Sequence, residues 1–179
     1  MRITGGILCG RQVKVPPGSI RPAMDRMRES VFAALGDLSG LSFLDIFSGS
    51  GIIALEAASR GASYIEAVEM DSQKRKILLE NVKISPVRVN CRFIPAELYV
   101  KRAKNSFDII FCDPPFPYKY KLELVSSIAS SPLMAQGSRL LLHRPREDAT
   151  VNNEKLLLEN TREYGRSFVD FFRFYPEKN

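Results

Sequence analysis

Short apolar runs alternate with amphipathic stretches along most of the chain. The runs are rich in β-branched and aromatic residues and too short for helices, which is typical of buried strands, whereas the stretches between them repeat apolar residues at helical spacing. The predicted strands of this region are Leu41–Phe47, Ala62–Met70, Val87–Ile94, Ser106–Cys112 and Gly137–His143, and the predicted helices are Ile52–Ala58, Ser72–Ile84, Ala96–Lys104 and 119–130. Strands that alternate with helices indicate a mostly parallel, doubly wound α/β sheet.

The two ends of the chain depart from this alternation. Arg2–Leu8 and Gln12–Val15 predict an N-terminal β-hairpin, and a helix is predicted over Ala23–Leu35 with its core face formed by Met24, Met27, Val31 and Leu35. Near the C-terminus, Lys155–Tyr164 and Arg166–Tyr175 flank Gly165 and predict an antiparallel hairpin that completes a seven-stranded sheet. The chain therefore reads as one domain over residues 1–179, with an extension over 1–36 and a core over 37–179.

Composition supports a single globular domain. The 179 residues are 45% hydrophobic and 26% charged, and no stretch approaches the roughly 20 apolar residues of a membrane span. The N-terminus lacks an apolar signal region, so we expect a cytoplasmic protein without a membrane partner. We also expect a monomer. Cys9, Cys91 and Cys112 lie far apart without C-x-x-C spacing or a histidine partner, so the sequence supports neither disulfides nor a metal site.

Net charge adds a weak indication of a polyanionic partner. The formal charge is +6, and basic residues are frequent in the N-terminal segment. In the predicted helix, Asp25 is placed to pair with Arg28 across one turn. The basic face of this helix is either a solvated surface or a surface that binds a phosphate backbone. The candidate RNA-binding residues are Arg2, Arg11, Lys14, Arg21, Arg26 and Arg28.

A glycine-rich turn follows the first central strand. Ser48-Gly49-Ser50-Gly51 leads directly into a helix, so the amides of the turn and the helix N-terminus form a binding surface for a nucleotide-like or anionic ligand. Glu69 ends the next strand about 20 residues after the first glycine, the position from which a carboxylate binds ribose hydroxyls. The spacing Gly49-x-Gly51-x-x-Ala54 fits a dinucleotide fingerprint and also S-adenosylmethionine, and a purely structural turn stays a third possibility.

Asp113-Pro114-Pro115-Phe116 forms a second candidate site after the strand that ends at Cys112. The two prolines lack backbone donors and fix the turn, which projects a carboxylate and an aromatic ring from the carboxyl edge of the sheet. The Asp113 carboxylate and the Pro114 carbonyl are suited to accept the hydrogens of an exocyclic amine, while Phe116 stacks on the base. The alternative is a proline turn whose aspartate caps the next helix.

These motifs together resemble a known family. Asp45-Ile46-Phe47-Ser48-Gly49-Ser50-Gly51, Glu69-Met70-Asp71 and Asp113-Pro114-Pro115-Phe116, in this order, are similar to the S-adenosylmethionine-dependent aminomethyltransferases. More narrowly, the chain resembles the RsmD-type 16S ribosomal RNA guanine-N2 methyltransferases in Arg2-Ile3-x-Gly5-Gly6, in Gly10-Arg11 and in Arg21-Pro22-x-x-Asp25-Arg26-x-Arg28-Glu29.

The resemblance implies a Rossmann-like class I methyltransferase fold and separate roles for the motif residues in binding the base and the cofactor. Asp113 and Phe116 would orient the guanine amine with the Pro114 carbonyl, and Glu69 would hold the cofactor ribose. The remaining residues expected around S-adenosylmethionine are Asp45, Phe47, Gly49, Ser50, Gly51, Met70, Asp71 and Ala96. The basic N-terminal segment would meet 16S ribosomal RNA in an assembled or nearly assembled small subunit.

The chain departs from the family pattern at three places. Ala23 replaces a common threonine, Pro95 replaces an acidic or amide residue expected to contact adenine, and His143 or Arg144 stands where an acidic residue is usual. His143 is interpreted as an incidental residue at the strand end rather than a general base. Methyl transfer is expected to be direct and in line, without a covalent enzyme intermediate.

Other function classes stay open at this stage. The D-P-P-F turn is shared with enzymes that methylate adenine or cytosine, but DNA enzymes usually add a target-recognition region, and glutamine methyltransferases usually carry Asn at position 113. A nicotinamide-dependent oxidoreductase or a non-catalytic nucleotide-binding module would use the glycine turn but would leave Asp113-Pro114-Pro115-Phe116 without a role.

Overall fold

A seven-stranded sheet forms the centre of the molecule, in a computed structural model that describes residues 1–15 and 23–176. The strand order is β3-β2-β1-β4-β5-β7-β6. Strands β1 to β5 pair in parallel, and β7 runs antiparallel to both β5 and β6. The strands are β1 (Ser42–Ile46), β2 (Tyr64–Val68), β3 (Val89–Arg92), β4 (Phe107–Cys112), β5 (Met134–Pro145), β6 (Leu156–Tyr164) and β7 (Ser167–Phe174). This Rossmann-like methyltransferase fold, with its C-terminal antiparallel hairpin, confirms the predicted fold class.

The helices also follow the sequence pattern. They are α1 (Ala23–Leu35), α2 (Ile52–Ser59), α3 (Ser72–Asn81), α4 (Ala96–Lys101) and α5 (Lys121–Ala129), with a short 3-10 turn over Val82–Ile84 after α3. The α1 bounds agree with the prediction, and Met27, Val31 and Leu35 are buried as expected. Strand β5 begins earlier than predicted because Met134 pairs with Phe107 of β4 before an irregularity in the β4–β5 pairing, and Gly137 at this irregularity takes a φ of 83°.

Two apolar layers cover the two faces of the sheet. Successive side chains of a strand point to opposite faces, and β4 divides accordingly. Ile109 and Phe111 join the layer that contains α1 and α2, whereas Ile110 and Cys112 join the layer that contains α4 and α5. Cys112 is fully buried. Over residues 1–15 and 23–176, every helix is too short or too polar to cross a membrane.

The predicted N-terminal hairpin is wrong in its extent. Only one isolated bridge joins Arg2 to Gln12. The residues between them turn away because α2 supplies other partners: Glu56 Oε1 accepts from the Thr4 amide at 2.9 Å, and Ser59 accepts from the amides of Ile7 and Leu8. These backbone donors are therefore satisfied by a helix rather than by a second strand, which leaves a short loop instead of a ladder.

A buried charge network holds this loop between α1 and α2. The Arg28 side chain is fully buried and donates from Nε to Glu56 Oε1 at 3.1 Å, and Glu56 also pairs with Arg60. Arg28 Nη2 donates to the Arg2 carbonyl at 2.9 Å and to Asp25 at 2.7 Å, which confirms the predicted pairing of Asp25 with Arg28. The network joins three segments that are distant in sequence.

Candidate active site

The candidate site lies at the carboxyl ends of neighbouring parallel strands. From β1 the chain moves outward through β2 and β3, and then continues on the other side of β1 with β4 and β5. Open α/β sheets leave a ligand crevice where the strand order reverses in this way. A cavity of about 1560 Å³ occupies that place, and residues that follow or end these strands line it, among them Phe47, Glu69, Asp113 and His143.

The cavity brings together seven of the twelve residues expected to bind the base or the cofactor. Those that line it are Phe47, Glu69, Met70, Asp71, Asp113, Pro114 and Phe116. The other residues expected around a cofactor do not line it: Asp45, Gly49, Ser50, Gly51 and Ala96. Ala96 is buried at the start of α4, and its neighbours Pro95 and Glu97 face the cavity instead. A pocket above the roughly 300–1,000 Å³ of single-ligand sites has room for two ligands.

The glycine turn has a strained and closely packed backbone. Phe47 takes a φ of 66°, a region that side chains other than glycine rarely adopt, and this places its ring at the cavity. Gly51 has a φ of 83°, and a Cβ there would meet Leu78 Cδ1 at 2.6 Å. The need for glycine at position 51 therefore arises from packing against α3. At Gly49, in contrast, a Cβ would meet only a carbonyl oxygen at 4.0 Å.

Asp45 lies beneath the turn and supports it. Its Oδ2 accepts from the Ser48 hydroxyl at 2.6 Å and from the Ala54 amide at 3.2 Å. The side chain is buried, and Oδ1 has no hydrogen-bond partner among the described residues. Burial raises the pKa of this carboxyl to about 7. A buried carboxyl oxygen without a partner is a ready acceptor for a cationic group.

The raised pKa of Asp45 predicts a pH-dependent stability. The Asp45 carboxyl binds a proton more tightly in the folded chain than in the unfolded chain. Its contribution to the free energy of unfolding is therefore favourable in acid and is lost as pH rises from about 4 to about 7. The full penalty is up to about 4 kcal/mol at alkaline pH. Denaturant unfolding of the ligand-free protein should show that Asp45→Asn gains stability over wild type as pH increases. Parallel pH curves for the two proteins would contradict this expectation.

Glu69 links the turn to the start of α3. Its Oε2 accepts from the Gly49 amide at 2.8 Å, and its Oε1 accepts from the Asp71 amide at 2.8 Å. Asp71 in turn caps α3 by accepting from the Gln73 amide at 2.9 Å. Glu69 is nine-tenths or more buried and still lines the cavity, so its carboxylate is held at a fixed place on the wall.

The proline corner is fixed to the sheet and to the helix that follows. The Asp113 amide donates to the Ile46 carbonyl at 3.1 Å, so the corner continues the β1–β4 pairing. Lys121 Nζ donates to the Phe116 carbonyl at 2.8 Å and pairs with Asp148 at 2.8 Å. Pro114 is buried, whereas the Asp113 side chain keeps 22% of its surface exposed toward the cavity.

His143 contacts the proline corner, which the sequence interpretation did not predict. Its Nδ1 lies 2.7 Å from Asp113 Oδ1, its Nε2 lies 2.8 Å from Ser167 Oγ, and the Phe116 ring meets the imidazole edge to face at 5.6 Å. The interpretation of His143 as an incidental strand-end residue did not include these contacts with the predicted site. A usable signal was present, because residues that end neighbouring parallel strands meet at one edge of the sheet.

An aromatic cluster forms another wall of the cavity. Tyr118 meets the Phe47 ring at 5.3 Å and the Tyr120 ring at 5.9 Å, both in edge-to-face geometry. The Tyr118 hydroxyl donates to Glu97, and burial together with this bond raises the pKa of Tyr118. The cluster lies on the side of the cavity where Pro95 replaces the expected polar residue, so Glu97 provides a carboxylate there.

The candidate RNA-binding residues divide into three groups. Arg2, Arg11, Lys14 and Arg26 are exposed, although Lys14 pairs with Glu80 at 2.6 Å. The prediction for Arg28 is wrong, because its side chain is fully buried in the network with Glu56. Arg21 lies outside the described residues.

Comparisons with known proteins agree with this arrangement. The model of the family described as conserved hypothetical protein 95 matches residues 1–173. Ribosomal RNA small subunit methyltransferase D of Escherichia coli K12 is 36% identical over 121 residues, which cover 65% of this chain and 60% of that protein. The chain thus spans about 60% of the length of the first curated relatives that it matches. The protein of the same description from Haemophilus influenzae is 27% identical over 174 residues, covering 90% of this chain and 88% of that one.

Solved structures extend the similarity to the whole fold. The structure of yhhF from Escherichia coli, described as a candidate methyltransferase, is 26% identical and covers 99% of both chains with a TM-score of 0.89. A hypothetical protein from Thermus thermophilus is 29% identical, with a TM-score of 0.80 over 96% of this chain and 98% of that one.

Proposed function

The chain belongs to the family described as conserved hypothetical protein 95, and on that premise we propose that it is an S-adenosylmethionine-dependent enzyme that methylates the exocyclic N2 amine of a guanine in 16S ribosomal RNA. One observation carries the proposal: Asp113 of the proline corner and Glu69 beside the glycine turn line the same cavity. A base held at Asp113 would therefore face a nucleoside held at Glu69. The names of the relatives support ribosomal RNA of the small subunit as the substrate.

The residues of the glycine turn fit S-adenosylmethionine. The unpaired Oδ1 of Asp45 suits the ammonium of its methionine part, and the Glu69 carboxylate suits the ribose hydroxyls once it releases the Gly49 amide. Phe47, Tyr118 and Pro95 offer apolar walls for the adenine ring, with the Glu97 carboxylate nearby. When bound, this cofactor supplies a methyl group on a positively charged sulfur.

The proline corner suits the amine that receives the methyl group. Guanine N2 is a poor nucleophile because its lone pair is delocalised into the ring. The Asp113 carboxylate and the Pro114 carbonyl would accept its two hydrogens, which holds the nitrogen with its lone pair directed at the donor, and Phe116 would stack on the base. Bond formation to the nitrogen makes it cationic, so the carboxylate stabilises the developing charge before the extra proton leaves to water.

The remaining charge distribution supports an RNA partner. Arg2, Arg11 and Arg26 are exposed on the N-terminal segment and α1, and Met24 and Met27 of α1 line the cavity. Phosphate contacts by such residues would place the RNA beside the site without reading its sequence. We further propose that the assembled or nearly assembled small subunit, rather than free RNA, is the form recognised.

A labelling experiment tests substrate and chemistry together. The protein is incubated with methyl-labelled S-adenosylmethionine and either small subunits from cells lacking the endogenous enzyme or the deproteinised 16S RNA from the same subunits. Digestion of the RNA should yield labelled N2-methylguanosine from one position, with more label from the subunits than from free RNA. Labelled N6-methyladenosine would contradict the choice of base, and equal labelling of both substrates would contradict recognition of the particle.

A further inference from the structure

His143 stands between two partners that come from different strands. It is the only histidine among 179 residues. Its Nδ1 is 2.7 Å from Asp113 Oδ1 after β4, and its Nε2 is 2.8 Å from Ser167 Oγ at the start of β7. The His143 side chain is only 7% exposed, whereas the Asp113 side chain is 22% exposed. All three residues line the cavity, and the carboxylate of Asp113 is more exposed there than the imidazole of His143.

The groups on either side of His143 determine which of its ring nitrogens carries a hydrogen. An ionised carboxylate can only accept, so Nδ1 must carry a hydrogen and donate it to Asp113. Ser167 Oγ is also 3.1 Å from the Tyr164 carbonyl, which gives its hydroxyl a second acceptor. With neutral imidazole the hydroxyl donates to Nε2, and with protonated imidazole it accepts from Nε2 and donates to Tyr164. The bond from Nδ1 to Asp113 persists in both states.

We propose that His143 is a positioning residue that fixes the Asp113 carboxylate for methyl transfer, an inference that rests on the proposed function. The prolines fix the backbone of the corner but leave the side-chain torsions of Asp113 free. The bond to His143 occupies Oδ1, and among the described residues no other polar contact holds the carboxylate, so Oδ2 is left for the substrate amine. The Phe116 ring against the imidazole edge limits rotation of His143 itself.

Positioning of this kind has a large effect because the reacting nitrogen must be aligned with the methyl group. A displacement of about 1 Å in a positioned group costs on the order of 100-fold in rate. Without the donor at position 143, the Asp113 side chain would be free to turn toward solvent, since part of its surface is exposed. The loss would appear in the rate of transfer and not in the affinity for the cofactor, because His143 lies at the base end of the cavity.

The protonation of His143 can be read directly by NMR. A single histidine means that long-range proton–nitrogen correlations of protein labelled with nitrogen-15 need no assignment. A hydrogen on Nδ1, in either the neutral Nδ1–H tautomer or the imidazolium, supports the proposal, whereas a hydrogen on Nε2 alone overturns it. This measurement uses the full-length protein without cofactor or RNA, so it holds even if the proposed substrate proves wrong.

A pair of variants tests the consequence for the reaction. His143→Leu removes the donor, whereas the amide of His143→Asn can place a donor near the position of Nδ1. In the labelling assay, His143→Leu should lose on the order of 100-fold in kcat with unchanged KM for S-adenosylmethionine, and His143→Asn should recover most of the rate. Wild-type kcat in a folded His143→Leu protein overturns the proposal, as does a His143→Asn protein that is equally slow. If His143→Leu does not fold, the NMR result and the asparagine variant decide.

Discussion

Alanine at position 113 is expected to abolish methyl transfer while leaving cofactor binding intact. Asp113→Ala removes the carboxylate that accepts an amine hydrogen and stabilises the cationic nitrogen, and the loss of one such preorganised group typically costs about 100- to 1,000-fold in kcat. Its side chain lies at the corner after β4, whereas Glu69 follows β2 on the other side of β1 and contacts the glycine turn. Calorimetric titration with S-adenosylhomocysteine should therefore give the wild-type affinity, while label transfer to small subunits should be lost.

A second aspartate of β4 provides a matched control. Asp108 is exposed near the opposite end of the strand, where it accepts from the Ser42 amide at 2.8 Å. Asp108→Ala removes the same carboxylate from the same strand, and label transfer should persist. An active Asp113→Ala enzyme, or an Asp108→Ala enzyme with an equal loss of rate, would contradict the assignment of Asp113.

The largest effect on stability is expected from Arg28. Removing one partner of a buried ion pair leaves an unpaired buried charge, which costs about 3–5 kcal/mol. Arg28→Ala would remove the fully buried partner of Glu56, which keeps Arg60 and Thr4, and would take the Arg28 donor from the Arg2 carbonyl and Asp25, so the loss should lie at the lower end of that range. In a protein of this size that change corresponds to a fall of about 10 °C in Tm, measurable by thermal unfolding.

The matched control for Arg28 lies on the same helix. Arg26 is exposed, and surface substitutions usually change stability by only about 0.5 kcal/mol. Arg26→Ala should keep the wild-type Tm but should weaken binding to small subunits in a salt-dependent manner. A wild-type Tm for Arg28→Ala would show that the buried network is not required for the fold.

Much of the fold was predictable because its signals are local. Each strand and helix of the core reveals itself by apolar spacing within a few residues, and the glycine turn and proline corner occupy consecutive positions. The order of elements then restricts how a parallel sheet is assembled, so the sequence alone suffices to place Glu69 and Asp113 at one edge of it.

The errors arose where distant residues decide the outcome. Arg28 belongs to a charged helix face by its spacing, and its burial depends on the distant partners Arg2 and Glu56, 26 and 28 residues away. The N-terminal hairpin is shorter than predicted for the same reason, because Glu56 and Ser59 accept from backbone donors between its paired ends. His143 meets Asp113 across 30 residues, and neither position reveals the hydrogen bond on its own.

The alternation of side chains along β4 has a consequence for how this family can vary. Ile109 and Phe111 face one layer while Ile110 and Cys112 face the other, so the direction of the carboxylate at 113 depends on the parity of the residues before it. Deletion or insertion of a single residue within β4 would direct the Asp113 side chain to the opposite face of the sheet. Natural insertions should therefore be absent from β4 and occur at sites such as the hairpin tip around Gly165. A change in length there alters the rim of the cavity but leaves the number of residues in β4 unchanged.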